Sequence, residues 1–287
     1  MRRDVGGAEL DASKEQPMLI SHCHVKAQGF GEEVDTNPAA GTLPELRRIM
    51  REVGVETAVA FAPFAPQTDA EVEPNEWLLS ELPNYPELIG FAAVDPKRED
   101  AAEVLGDLIC RGLRGAKVHP PVFQTALDDP ATEAFWAACA RMRLPVHIHT
   151  GVHGWFQRRY MPILLDDICT RHPDVRIILD HMGGIAFFDQ ALAVVHDNKN
   201  AFVGLTQLSG RSAIYALSPG RRQLILETIG PDRIIYGYDY PWNSHNLTAL
   251  RHDLEWIGTW GLREDDVARI LGGNIERLLS EVRPPVA

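Results

Sequence analysis

The stretch MLISHCH, residues 18–24, is a short apolar run that ends in two histidines separated by one residue. Seven similar runs follow it, with helix-like stretches between them, at residues 56–63, 88–95, 115–119, 145–150, 175–181, 201–207 and 233–239. Short runs rich in Val, Ile and Ala and bounded by Gly or Pro are typical of strands buried on both faces of a parallel sheet. Eight such β-then-α units predict an α/β fold, a single closed (β/α)₈ barrel.

The segments around these runs predict where helices and domains begin and end. In TLPELRRIMREVG, Thr42 and Glu45 have the spacing of a capping box, and Gly54 stands where the helix should stop. The stretch 263–280 predicts extra C-terminal helices packed on the barrel, with a break at Gly272-Gly273. We expect a flexible N-terminal extension (1–17), one catalytic barrel (18–280) and a short tail (281–287).

Composition favours a small-molecule substrate over a macromolecular partner. The chain has 287 residues and a formal charge of −12, with no basic run, which disfavours nucleic acid and anionic membranes as partners. The four cysteines have no CxxC spacing, which predicts reduced thiols. No apolar stretch follows the first residues, as a signal peptide would require, so we expect a cytoplasmic protein. Association of identical subunits stays open.

Polar residues gather at the predicted C-terminal strand ends, where barrels of this kind form their active sites. The residues at these positions are His22, His24, Lys117, His119, His147, His149, His181 and Asp239. His22 and His24 are two apart on a strand and so share a face, which fits either a metal site or a hydrogen-bonded pair of core histidines. Adding His149 and Asp239 favours a divalent ion, zinc first, with manganese, iron or cobalt as alternatives.

Three neighbouring residues have more than one interpretation. His181, in LDHMGG, could act as a general acid or base, hold a substrate carbonyl, or hydrogen-bond to Asp239. For Lys117, a contact with the substrate or a buried ion pair with Asp239 is favoured over a carbamate that bridges two metals, so one ion is favoured and a second stays open. Cys23 should face the helix layer as a small core residue.

The loops after the strands hold candidate substrate-binding residues. Arg158, Arg159 and Arg211 could clamp a carboxylate, because a guanidinium binds it through two hydrogen bonds, although each could equally be a solvated loop arginine. Trp242 could wall the pocket or pack a loop. His119 and His147 could line the site or lie one layer deeper.

Six segments together resemble the amidohydrolase superfamily, and within it the amidohydrolase-related branch of metal-dependent hydrolases and decarboxylases. In the family's order they are HCH (22–24), GAKVHP (115–120), LPVHIHTG (144–151), LDHMGG (179–184), IIYGYDYPW (234–242) and ILGGNIERLL (270–279). The resemblance implies a barrel whose ion is held by an HxH pair, a strand-5 histidine and a strand-8 aspartate, while a strand-6 histidine assists catalysis. By position these are His22, His24, His149, Asp239 and His181.

Two positions determine how much of the family's metal site this chain is expected to share. Lys117 matches the strand-4 lysine of the superfamily's binuclear members, which leaves a second metal open. Many relatives have Asp before the HxH pair, whereas this chain has Ser21, which we expect to face outward.

The leading functional prediction is hydrolysis of an ester, lactone or amide in a small molecule that carries a carboxylate. A metal-activated water would attack a carbonyl polarised by the ion and His181, with Asp239 as both ligand and base. The first alternative is non-oxidative decarboxylation of an unsaturated or aromatic acid on the same metal site. The second is a barrel that binds a ligand without catalysis.

Overall fold

The computed structural model describes residues 18–30, 37–65, 72–242 and 246–285. They form a closed barrel in which eight parallel strands follow one another in chain order, as the sequence predicts. The strands are β1 (Met18–His24), β2 (Val55–Phe61), β3 (Leu88–Ala93), β4 (Ala116–Val118), β5 (Pro145–His149), β6 (Arg176–Asp180), β7 (Ala201–Thr206) and β8 (Ile234–Tyr240). The predicted extension over residues 1–17 lies outside the described residues.

The helices occupy the connections between strands and the C-terminal region. They are α1 (Leu43–Val53), α2 (Pro74–Glu81), α3 (Ala101–Cys110), α4 (Pro120–Phe123), α5 (Glu133–Arg141), α6 (Leu165–Arg171), α7 (Gly184–Asp197), α8 (Pro219–Thr228), α9 (Leu247–Gly258), α10 (Glu264–Ala268) and α11 (Asn274–Ser280). None of the helices in the described part of the chain is long and apolar enough to cross a membrane.

The predicted helix signals act as expected. The Thr42 side chain accepts a hydrogen bond from the Glu45 N–H at the start of α1, and Gly54 ends the helix in a left-handed conformation. A π-helical segment, Arg269–Gly273, joins α10 to α11 and contains the predicted glycine break. The extra C-terminal helices are therefore confirmed.

Apolar side chains form one layer outside the barrel strands and a second layer inside the barrel. The outer layer lies between barrel and helices and contains Cys23, Cys139 and Cys169, whereas Cys110 is exposed. Burial raises the pKa of the Cys23 thiol well above its usual range, which agrees with a packing role. Inside the barrel, apolar side chains from six strands pack against α11. They are Leu19, Val59, Phe61, Ile89, Phe91, Ile178, Phe202 and Ile235.

Candidate metal centre

A cavity of about 260 Å³ lies at the C-terminal ends of the strands. Its lining comprises His22, His24, Phe64, His119, Val122, His149, His153, His181, Gln207, Tyr215, Asp239 and Trp242. Most of the polar residues that the sequence places at the strand ends therefore share one cavity. Lys117 and His147 are fully buried and do not line it.

Three donor atoms converge at the floor of this cavity. The Asp239 Oδ1 atom lies 2.9 Å from His22 Nε2 and 3.4 Å from His24 Nε2, and the two nitrogens are 3.1 Å apart. Tetrahedral zinc with Zn–N distances of 2.0–2.1 Å would place neighbouring ligand atoms about 3.3 Å apart. The residues therefore fit a divalent ion, and the nitrogen and carboxylate donors suit zinc, manganese, iron or cobalt.

The backbone of β1 is irregular at His22. Its φ is 63°, and the register of β1 shifts against both neighbouring strands between residues 20 and 23. A left-handed residue interrupts the two-residue alternation of a strand. As a result Ser21, His22 and His24 all turn their side chains inward, while Cys23 packs outward.

The expectation that Ser21 faces outward is therefore wrong. Its hydroxyl donates to His147 Nε2 over 2.6 Å, and both side chains are fully buried. Strict alternation places residue 21 on the face of Cys23, but the left-handed bend at His22 reverses it. Ser21 thus supports the interior of the barrel beneath the cavity.

Asp180 organises a buried polar network under the three donor atoms. Its Oδ1 accepts hydrogen bonds from His147 Nδ1 at 2.7 Å and from His22 Nδ1 at 3.1 Å. Its Oδ2 accepts a bond from the Lys117 ammonium. The lysine of the predicted ion pair therefore pairs with Asp180 and not with Asp239. Because a metal-binding histidine commonly donates its second N–H to a carboxylate, Asp180 is placed to orient His22.

Opposing charges shift the pKa values of the groups in this network. Burial alone lowers the pKa of His22, but Asp180 and Asp239 outweigh it and raise the pKa above its usual value. Burial would raise the pKa of both aspartates, yet His22 and its neighbours hold both pKa values well below their usual range. The two carboxylates are therefore ionised.

His181 lies directly after β6, also with a φ of 63°. Its Nδ1–H donates to the Thr206 carbonyl over 3.1 Å, so Nε2 is the unprotonated nitrogen. Burial lowers the pKa of His181 to about 4, which keeps the ring neutral at pH 7. Its donor atom lies within 4.8 Å of those of His22 and Asp239, and Tyr215 stacks on the ring with centroids 4.4 Å apart.

The fourth predicted ligand, His149, is oriented by a backbone carbonyl and by two neighbouring histidine rings. Its Nε2–H donates to the Gly151 carbonyl over 3.1 Å. The lone pair of Nδ1 is therefore the one that can bind a metal ion. The ring is 4.8 Å from that of His181 and stacks on His119 with centroids 4.2 Å apart. Burial lowers the pKa of both His119 and His149 well below the usual range, so both are neutral.

The predicted substrate-binding residues fall into two groups. Trp242 and His119 line the cavity, and Trp242 is 39% exposed. Arg158, Arg159 and Arg211 are exposed and do not line it in this structure. The cavity wall formed by described residues thus carries histidines and aromatic rings in place of arginines.

Several cavity residues escaped the sequence prediction. They are Phe64, Val122, His153, Gln207 and Tyr215, together with the supporting Asp180 beneath. Asp180 and Gln207 could have been found, since each is a polar residue that ends an otherwise apolar run, RIILD and AFVGLTQ. Phe64, His153 and Tyr215 lie on loops and Val122 lies in the short helix α4, and the periodicity of strands predicts the path of neither.

Gly237 allows β8 to approach its neighbours closely. A Cβ atom at this position would lie 2.4 Å from Thr206 Oγ1 and 3.2 Å from the His22 Cβ. Contacts this short would force the Thr206 side chain, or the strands that carry these residues, to move. The glycine in IIYGYD therefore helps to place Asp239 against His22.

Residues 22–280 match the sequence profile of the protein family described as amidohydrolase. A comparison with curated proteins returned no match.

Solved structures share the fold at low sequence identity. An uncharacterized TIM-barrel protein from Bordetella bronchiseptica is 18% identical, with a TM-score of 0.73, covering 93% of this chain and 99% of that one. An amidohydrolase from Burkholderia multivorans with bound zinc is 17% identical, with a TM-score of 0.64 and coverage of 92% and 99%. A 5-carboxyvanillate decarboxylase from Novosphingobium aromaticivorans, complexed with manganese and a nitrobenzoic acid, is 14% identical, with a TM-score of 0.68 and coverage of 92% and 96%.

Proposed function

Because the chain belongs to the amidohydrolase family, we propose that it is a metal-dependent hydrolase. Its substrate is a small molecule that carries a carboxylate and an ester, lactone or amide bond. The observation that supports this most strongly is the convergence of His22 Nε2, His24 Nε2 and Asp239 Oδ1 within 3.4 Å of one another in an open cavity.

We assign the ion to these three residues and to His149, whose Nδ1 is the nitrogen left after Nε2 bonds to Gly151. A bound divalent ion lowers the pKa of water and polarises a carbonyl. Zinc fits the donor set, and the related structures with zinc and with manganese keep both candidates open. The Lys117 ammonium is paired with Asp180, so a single ion is the simpler assignment.

Asp239 and His181 supply the proton transfers in this proposal. Asp239 accepts the proton of the attacking water, since its carboxylate borders the proposed ion position. His181 presents an unprotonated Nε2 and can take that proton and pass it to the leaving group. Of the roles that the sequence leaves open for His181, this proposal adopts that of general base and then general acid.

Decarboxylation of a planar unsaturated or aromatic acid is the second candidate. It is favoured by the aromatic character of the cavity, in which Phe64 and Trp242 flank His24 with ring centroids 5.9 and 6.2 Å away. A fold neighbour is itself a decarboxylase. Here His181, once protonated, would deliver a proton to the carbon that loses CO₂.

A substrate panel separates these reactions. Purified enzyme loaded with Zn²⁺ or Mn²⁺ is incubated with lactones, amides and hydroxybenzoates, and both acid release and CO₂ are measured. Hydrolysis supports the proposal, with the matched His181→Asn protein as a control that should be inactive. CO₂ release without hydrolysis would replace it by the second candidate.

A further inference from the structure

Residues with left-handed backbone conformations concentrate at the cavity. Among the described residues, seven that are not glycine have positive φ, and four of them line the cavity: His22, His181, Gln207 and Asp239. Such a conformation costs a non-glycine residue free energy and persists where the surroundings enforce it, commonly at functional sites. Three of the four carry proposed chemistry, and Gln207 is the one without a role.

Gln207 contacts the proposed base directly. It follows β7 with a φ of 58°, is 2% exposed, and its side-chain amide N–H donates to Asp239 Oδ2. The other oxygen of the same carboxylate, Oδ1, faces the two histidine nitrogens. The two oxygens of Asp239 therefore have different partners.

We infer that Gln207 is a positioning residue that engages Asp239 Oδ2 and so presents only Oδ1 to the ion. This inference rests on the proposed function, because it concerns the same metal site. A carboxylate without this hydrogen bond can rotate or offer both oxygens to a cation, since a carboxylate has two equivalent acceptors. Gln207 removes that freedom and leaves space at the ion for water and substrate.

Two substitutions separate this role from backbone strain. Gln207→Met keeps the length of the side chain and removes the donor. Gln207→Asn keeps an amide and suits the left-handed backbone better, because Asn adopts this conformation more readily than most residues. However, its side chain is one methylene shorter, which places its amide farther from Asp239 Oδ2 and weakens or removes the hydrogen bond. If the position required only a left-handed backbone, Asn would be harmless.

The experiment measures metal binding without any substrate. Metal-free wild type, Gln207→Met, Gln207→Asn and the surface control Gln223→Met are titrated with Zn²⁺ against a chelator, and their Co²⁺ forms are compared by visible absorption. We expect both Gln207 variants to bind Zn²⁺ about 10–100-fold more weakly. We also expect a changed Co²⁺ spectrum, which reports the coordination of the ion and would not respond to a purely structural role.

The outcomes distinguish this inference from the proposed function. If wild type binds no Zn²⁺ or Co²⁺, the proposed metal site itself is wrong. If wild type binds and both variants match it in affinity and spectrum, the site stands and the role of Gln207 is overturned. A loss in Gln207→Met that Gln207→Asn restores would assign the position to backbone conformation and would also overturn it.

Discussion

At the scale of single residues, the candidate site depends on a few side chains whose surroundings fix their protonation. His181 is held by the Thr206 carbonyl on one side and by Tyr215 on its face, so its Nε2 is directed to the cavity. The sequence predicted His181 as a catalytic group from its place in LDHMGG. It could not predict the tautomer, because that depends on a carbonyl from another strand.

His181→Asn tests the proton-transfer role. The variant loses the basic nitrogen, and we expect kcat to fall by at least about 100-fold, since a positioned acid–base group contributes 10²–10⁴-fold. Metal content, measured by elemental analysis, should stay at the wild-type level. Retained turnover would contradict the assigned role, and loss of the metal would make His181 a ligand.

Asp180→Asn tests the buried network. Removing the negative charge leaves the fully buried Lys117 ammonium without a counter-charge, which we expect to cost about 3–5 kcal/mol of unfolding free energy. Urea denaturation measures this value. Asp100→Asn, which removes one partner of an exposed ion pair with Arg98, is the control and should change the midpoint little. Equal midpoints for the two variants would show that the network does not stabilise the fold.

At the scale of elements, strands were predictable and their ends were less so. Apolar runs identified all eight strands, because strands covered on both faces must be apolar. The exact ends differ by one or two residues, and His119 and His181 lie just beyond β4 and β6. The left-handed bend in β1 was not predictable, since no glycine marks it. That single bend reversed the orientation of Ser21.

Gly237→Ala tests whether the close approach of β8 places Asp239. The added methyl would meet Thr206 Oγ1 and the His22 Cβ, so we expect a loss of about 1–3 kcal/mol in stability and weaker Zn²⁺ binding. Gly220→Ala in α8 is the matched control, since its Cβ would meet no atom within 4 Å. The interpretation fails if Gly237→Ala binds Zn²⁺ with unchanged affinity and stability.

At the scale of the whole molecule, the barrel concentrates titratable groups in one buried region. Burial lowers the pKa of His24, His147 and His181 to about 4, whereas histidine in an unfolded chain titrates near 6.5. Between these values the unfolded chain binds more protons than the folded one. The free energy of unfolding should therefore rise with pH in this window and fall as the pH is lowered.

We accordingly expect metal-free protein to lose stability between about pH 6.5 and pH 4. The lowered pKa values of Asp180 and Asp239 act in the same direction at lower pH. The raised pKa of His22 acts oppositely, with stability lost as the pH rises above its usual value. Urea midpoints measured in the presence of a chelator across this range check the sign. A midpoint that stays constant or increases on acidification would contradict it.

The six ordered segments were sufficient to predict the family from the sequence. The buried contacts that support the site are visible only in the structure. Lys117 illustrates the difference: its position in the barrel could be predicted, but its partner could not, because Asp180 was not recognised as a polar interior residue. The arginines proposed as carboxylate clamps lie on loops, where strand periodicity gives no information about direction.

The metal content of the purified protein tests the central claim most directly. Elemental analysis should find about one equivalent of a divalent transition metal in the wild type and almost none in a His22→Ala, His24→Ala double variant, because these histidines supply two of the proposed ligands. Activity removed by a chelator should return with Zn²⁺ or Mn²⁺. Less than about a tenth of an equivalent, with no activity regained on adding either ion, would contradict the account.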